Sequence, residues 1–402
     1  MRTIGAVTTS RADYGLYRPL LDAIQNDPEL RLRLLVSGMH LSPHYGLTVR
    51  EIEADGYEIA ERVEALIAAD TPEAISKSVG LAVIGFAQVF SRWLPDILIV
   101  SGDRFEMHAS ALAALPFMVP IAHLGGGEIT EGAIDDVLRH SLSKVSHLHF
   151  ASTEVYARRI IQLGEEPWRV TVSGEVGLDN LRTTEMLSRS ELETRYGLQL
   201  DGVFLLVTYH PVTFEYEQAE WQIGELLAAL QETRLPLIFT LPNADTGNRV
   251  IRKKLEQFVT SNRSSRLVDN FGTQAYFSLM NLAAAMVGNS SSGIVEAASF
   301  QLPVINIGTR QRGRIRTRNV IDVGYSRAEI LIGIKQAIEP QFRASLNGLV
   351  NPYGNGEASS VIVRRLKNIP LGNTLVRKKF YDMPFSQEQT VGRKDEADKT
   401  VF

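Results

Sequence analysis

Apolar residues recur along this chain in two alternating rhythms. Short uninterrupted apolar runs at 4–7, 32–36, 97–100 and 119–123 predict strands buried on both faces. Between them, at about 16–26, 74–93, 107–114 and 134–147, apolar positions recur with helical period. A strand at 170–173 closes this first series, and a link from 174 to about 182 leads into a second. There the strands fall at 204–208, 237–240, 266–268, 283–287 and 304–307. Helical stretches at 217–232, 247–260, 274–281 and 328–337 separate them. Two consecutive β/α series predict two doubly wound domains facing each other, with ligands at the carboxyl ends of the strands. No internal repeat of solenoid length interrupts the pattern, and the polar stretch 387–402 reads as a disordered tail.

Composition narrows the function classes. A chain of 402 residues has room for two domains of ordinary size, and 44% hydrophobic with 22% charged residues is average for a soluble globular protein. The net charge of −4 supplies no global positive field for nucleic acid. Zero cysteines exclude disulfides and cysteine-ligated metal. The opening Met1 to Val7 is too short for a signal-peptide core, and the sequence reads as free of membrane-spanning apolar runs. The expectation is a soluble cytoplasmic protein without a membrane partner.

The chemistry concentrates where strands end. Val287-Gly288-Asn289-Ser290-Ser291-Ser292-Gly293-Ile294-Val295-Glu296 carries an apolar strand into small polar residues and then a helical pattern. Such a turn presents free N–H groups and the positive end of a helix dipole, which suit a phosphate. Ser290, Ser291 and Ser292 add hydroxyl donors, and Gly288 and Gly293 permit close backbone approach. Glu296 would repel phosphate, yet it suits the two hydroxyls of a ribose. An N-cap followed by a solvated glutamate is the plainer reading of these residues. The cluster Arg310, Arg312, Arg314, Arg316 and Arg318 tips the balance towards a nucleotide diphosphate.

Arg11, just past the first strand, can reach a phosphate or form a surface ion pair. Asp103 opens a helix after strand 97–100; Glu128 follows Gly125-Gly126-Gly127; Asp135 and Asp136 begin a helix that carries Arg139 and His140. Asp103, Glu128 and Asp135 follow strands along one sheet edge, so a carboxylate cluster that splits into base and acid is expected. First-turn carboxylates complementing a helix dipole are the simpler account. His210 and Asn243 follow strands of the second series and are expected at the same cleft. There is no Walker A motif and no GxGxxG fingerprint, so neither ATP, nicotinamide nor a metal cofactor is expected.

Taken in order, several motifs resemble the hydrolysing UDP-N-acetylglucosamine 2-epimerases. They are Ser10-Arg11-Ala12-Asp13-Tyr14-Gly15, Gly102-Asp103-Arg104, His123 through Glu128 with Asp135-Asp136, and His210-Pro211-Val212-Thr213. Pro242-Asn243-Ala244-Asp245, Gly288 through Gly293, Asn306 through Gln311 and Tyr353-Gly354-Asn355-Gly356 continue the series. The resemblance implies a GT-B fold of two doubly wound Rossmann-like domains, at 1–178 and 179–368, with the ligand cleft between them. Segment 369–386 would return to the first domain. It implies conversion of UDP-GlcNAc and water to UDP and N-acetylmannosamine, through a 2-acetamidoglucal, for sialic acid synthesis. Asp103, Glu128, Asp135 and His210 are implied as catalytic. Arg11, Ser290, Ser291, Ser292 and Arg314 would hold phosphates and Glu296 the ribose, with Asp13, His40, Arg104 and Asn243 as further UDP-sugar contacts.

The same resemblance implies no cofactor and a homo-oligomer, dimer or tetramer. Residues 10–13 depart from the Gly-Thr-Arg-Pro-Glu turn of the non-hydrolysing branch, which favours hydrolysis. A sister group acting on a UDP-2,4-diacetamido-trideoxyhexose, towards legionaminic acid, shares these motifs, so the sugar stays open. A GT-B glycosyltransferase would differ by transferring sugar to an acceptor. A non-enzymatic UDP-sugar sensor would bind without consuming.

Overall fold

The computed structural model describes residues 1–384 other than 70, 131–133, 201 and 243–247. The expected site residue Asn243 and the stretch 387–402 therefore lie outside the described residues. The two apolar rhythms become two parallel sheets. The first holds β1 (Arg2–Thr8), β2 (Leu30–Ser37), β3 (Ile59–Val63), β4 (Ile97–Ser101), β5 (Ile121–Leu124), β6 (Leu148–Ala151) and β7 (Val170–Val172), in the order β3-β2-β1-β4-β5-β6-β7. The second holds β8 (Leu205–Thr208), β9 (Leu237–Thr240), β10 (Ser265–Val268), β11 (Ala285–Gly288), β12 (Val304–Ile307) and β13 (Val320–Val323), in the order β10-β9-β8-β11-β12-β13. Helices cover both faces, which is why Ile4, Ala6 and Val7 of β1 are all fully buried. The strand order reverses between β1 and β4 and again between β8 and β11, and crevices at such points take ligands. This is a GT-B-type architecture.

Edge strands β3 and β13 escape the apolar-run criterion. β3 reads Ile-Ala-Glu-Arg-Val and pairs with β2 through a register shift at Leu34/Leu35; β13 carries Asp322. An edge strand meets solvent along one side, so it carries charge that a central strand cannot.

Helix Ala358–Asn368 shifts the expected domain boundary. Its Ile362 and Leu366 pack with Leu20, Leu21 and Ile24 of helix Arg11–Gln25 in the first domain's core. The return to the first domain thus begins before residue 369, because that helix's apolar stripe completes the first core. The two crossings between domains touch: the Glu175 N–H donates to the Tyr353 carbonyl at 2.7 Å. Gly174, at φ 86°, leaves room for this approach, since a Cβ there would stand 3.0 Å from the same carbonyl.

Among the described residues, helix Pro72–Arg92 is long and apolar enough by length and composition to cross a membrane, contrary to the expectation from sequence. Gly80, Gly85 and Ser78 interrupt it and hide its length from a search for continuous apolar runs. Its Ala82, Phe86, Val89 and Phe90 close a core with Val100, Met107 and Ile121.

Candidate active site

The turn after β1 is built around one carboxylate. Ser10 N-caps helix Arg11–Gln25 in a capping box with Asp13. Asp13 accepts from the backbone N–H groups of Thr9 and Ser10 and from the hydroxyls of Thr8, Thr9 and Ser10. His40 lies fully buried beneath it, with Nε2 2.9 Å from the Thr8 hydroxyl and Nδ1 2.7 Å from that of Thr48. Protein groups thus already satisfy the polar atoms of Asp13 and His40, and both hold the turn together. Arg11 stays largely exposed, in a loose 3.8 Å pair with Glu51. Arg104 is held by both oxygens of the buried Glu106, at 2.9 and 3.2 Å.

Two of the three expected carboxylates meet around an arginine. Asp103, after β4, accepts from Arg139, and Glu128, after β5, lies 3.6 Å from the same guanidinium. Arg139 is itself buried and donates to the Gly125 carbonyl at 2.8 Å, which ties it to the glycine turn. Arg314 approaches Glu128 from the second domain, also at 3.6 Å. Asp135 stands half-buried one helical turn before Arg139, on helix Ile134–Val145. Glu175, which no sequence signal singled out, joins this seam. Burial, reinforced by the charges of Glu128 and Glu296, pushes its carboxyl well above the usual range. Its distance in sequence from Glu128 and Glu296 is why only the folded chain reveals it.

In the second domain the strand ends are drawn together by a glycine and an asparagine. Gly288, at φ 139°, lets β11 pass so close to β8 that a Cβ would collide with the Thr208 carbonyl. Asn289 then clamps the two strand ends: its Oδ1 accepts from the His210 N–H at 2.7 Å and its Nδ2 donates to the His210 carbonyl at 2.8 Å. Burial, with Arg310 nearby, pushes the His210 imidazole down to about 3, so it is neutral at working pH.

The helix after the serines runs only from Ser292 to Val295 before a 3₁₀ turn, so little macrodipole forms. An anion placed there would meet hydroxyls and local N–H groups rather than a full helix dipole. Nor does the arginine run act as a block. Arg310 donates to the Asn289 carbonyl, Arg316 pairs with Asp322, and Arg318 binds the carbonyls of Ser345 and Asn347. Glu296 is half-buried, its Oε2 is sealed from solvent without a protein partner, and burial pushes its pKa up to about 7. An orphaned buried acceptor is what a pair of ribose hydroxyls would complete.

A cavity of about 2370 Å³ lies between the domains, lined among others by Ser10, Arg11, Arg104, His210, Tyr276, Ser290, Ser292 and Glu296. Asp103, Glu128, Asp135, Ser291 and Arg314 are not on its lining; Glu128 and Arg314 meet behind it at the domain seam. Among the described residues no group of three His, Cys, Asp or Glu side chains is arranged for a metal ion.

Residues 22–367 match the family model described as UDP-N-acetylglucosamine 2-epimerase. The GDP/UDP-N,N'-diacetylbacillosamine 2-epimerase (hydrolyzing) of Campylobacter jejuni is 41% identical, over 95% of this chain and 99% of that protein. The UDP-N,N'-diacetylbacillosamine 2-epimerase (hydrolyzing) of Legionella pneumophila is 36% identical, over 94% and 99%. The polysialic acid biosynthesis protein P7 of Escherichia coli is also 36% identical, over 96% and 98%. Among solved structures, UDP-GlcNAc 2-epimerase from Neisseria meningitidis bound to UDP-GlcNAc superposes with a TM-score of 0.78 at 19% identity, covering 90% of this chain and 99% of that one. With the carboxylate seam, the orphaned Glu296 and these relatives together, the chain belongs to the UDP-N-acetylglucosamine 2-epimerase family, in its hydrolysing branch.

Proposed function

We propose that this protein hydrolyses a UDP-2-acetamido sugar with inversion at C2, and that the sugar is a UDP-2,4-diacetamido-2,4,6-trideoxyhexose. The activity rests on one observation above the rest: Arg139 holds Asp103 and Glu128 together while Arg314 reaches Glu128 from the opposite domain. The choice of sugar rests on the diacetylbacillosamine epimerase of Campylobacter jejuni, at 41% identity. UDP-GlcNAc is the second reading, favoured by the fold shared with the UDP-GlcNAc-bound enzyme of Neisseria meningitidis and by the polysialic acid relative.

In the first step a carboxylate of the Asp103/Glu128 pair takes the C2 proton. The C1–O bond to the diphosphate breaks, the C1=C2 bond of the glycal forms, and UDP leaves with the bonding electrons. In the second step water adds across that bond, its hydroxyl to C1 and a proton to C2 from the opposite face. The sum is one water consumed, UDP released and C2 inverted. Neutral His210 offers an N–H to the departing diphosphate without a charge to trap the product. Glu296 accepts from the ribose, and Ser290 and Ser292 donate to phosphate oxygens.

Each UDP-sugar incubated with the protein in D₂O and followed by proton NMR tests this. UDP release with deuterium at C2 of the 2-epimer is expected, faster with the diacetamido sugar. Release of UDP from neither sugar would sink the reading. Asp103→Asn and Glu128→Gln should each lower kcat by at least about 10²-fold while leaving UDP affinity largely intact.

A further inference from the structure

Tyr353 opens the Tyr353-Gly354-Asn355-Gly356 motif, to which the reaction assigns no part. It sits on the second crossing between domains and is 1% exposed, while Tyr156, on first-domain helix Glu154–Gln162, is fully buried. The Tyr353 hydroxyl donates to the Ile315 carbonyl at 3.0 Å, and the Ile315 N–H donates to the Tyr156 hydroxyl at 3.2 Å. The two hydroxyls are 3.1 Å apart. Because the Tyr353 proton is committed to Ile315, Tyr156 must be the donor between them. Three bonds thus close a ring in which each hydroxyl donates once and accepts once.

Ile315 follows Arg314, so the ring grips the second-domain loop beside the guanidinium that meets Glu128. The same tyrosines brace the other partner. A Cβ on Gly127 would collide with the Tyr156 carbonyl, and Arg159 of the same helix donates to the Gly127 carbonyl, next to Glu128. Tyr353 in turn accepts the Glu175 N–H at its carbonyl. Its own N–H donates to Asn351 Oδ1 at 2.9 Å, and Asn351 donates to the Val295 carbonyl at 2.7 Å, beside Glu296.

We infer that the ring of Tyr156, Tyr353 and the Ile315 backbone is a positioning latch, which holds Arg314 on Glu128 and so sets the domain register in which the carboxylate pair acts. The inference deepens the proposed function and rests on it. Removing either hydroxyl leaves the other with one bond instead of two and strips a backbone group of Ile315 of its partner, the carbonyl in Tyr353→Phe and the N–H in Tyr156→Phe. An ion pair reaching across two domains depends on their register, and misplacement by about 1 Å costs on the order of 10²-fold in rate.

The test is a double-mutant cycle on kcat, using Tyr353→Phe, Tyr156→Phe and Arg314→Ala. Each tyrosine variant should lose about tenfold or more in kcat, with KM and the UDP dissociation constant within about twofold of wild type. In the Arg314→Ala background, Tyr353→Phe should cost nothing further. Additive losses, or wild-type kcat in Tyr353→Phe, overturn the latch. Hydrogen exchange supplies a readout that needs no turnover: Tyr156→Phe removes the acceptor of the Ile315 N–H, so exchange at that amide should rise. Unchanged exchange also overturns the latch. Wild-type silence towards both UDP-sugars would fail the proposed function alone, and exchange would then decide the latch by itself.

Discussion

Glu296 carries a cost that the proposed ribose contact would relieve. Its Oε2 is buried without a protein donor, and burial raises its pKa from the ordinary 4.5 to about 7. The folded state therefore holds a proton that the unfolded chain releases between those values, so stability falls as pH rises through that window. Glu296→Gln removes the titration. Thermal unfolding of the ligand-free variant should exceed wild type at pH 8 and match it near pH 4.5. Calorimetric titration should meanwhile show UDP bound about tenfold more weakly. A stabilised variant that binds UDP like wild type would remove Glu296 from the ribose. Glu175 is shifted in the same direction, so two carboxyls at the seam resist ionisation where UDP would bring negative charge.

At the scale of elements, the site is a set of strand ends held by polar side chains. Asp13 ties residues 8–10 to the helix start through hydroxyl and backbone donors. Asp13→Ala strips the capping box and leaves several donors unpaired, so we expect a loss of about 2–3 kcal/mol by urea denaturation. A change within about 0.5 kcal/mol would show that Asp13 does not hold the turn. Asn289 does for β8 and β11 what Asp13 does for β1, and it explains how a one-turn helix can still present serines. The serines are positioned by the clamp on His210 rather than by a long helix.

At the scale of the molecule, residues 358–378 belong to the first domain and are bolted there. Buried Arg169 donates to the carbonyls of His147, Thr374, Leu375 and Arg377, and buried Glu165 meets Lys144, His149 and Lys378. Arg169→Ala should cost about 3 kcal/mol or more, because buried carbonyls lose their donor. A thermal midpoint equal to wild type would show that the segment is not held there. Assembly is a separate question. Leu81 and Ile84 are 45% and 59% exposed, one turn apart on helix Pro72–Arg92, on a layer already rich in apolar side chains. A homo-oligomer that covers this face is expected by light scattering, with Ile84→Glu shifting it towards monomer. A monomeric wild type would leave the face without a partner.

The sequence by itself determined the central strands, the long helices, the strand-end positions of Asp103, Glu128 and His210, and the place of Glu296 one turn beyond the serines. Buried parallel strands must be continuously apolar, and chemistry can sit only where they stop. It also carried family membership, because ordered motifs need no coordinates. What only the tertiary structure decided were relations between distant residues. Arg139 gathering two carboxylates, Arg314 crossing the seam, Glu175 joining it and Tyr353 meeting Tyr156 all depend on how two domains dock. Asp13 and His40 show the converse. Their types and positions suit a ligand, yet neighbouring hydroxyls satisfy them first, and burial decides whether a polar group faces the cleft or holds up the turn beside it.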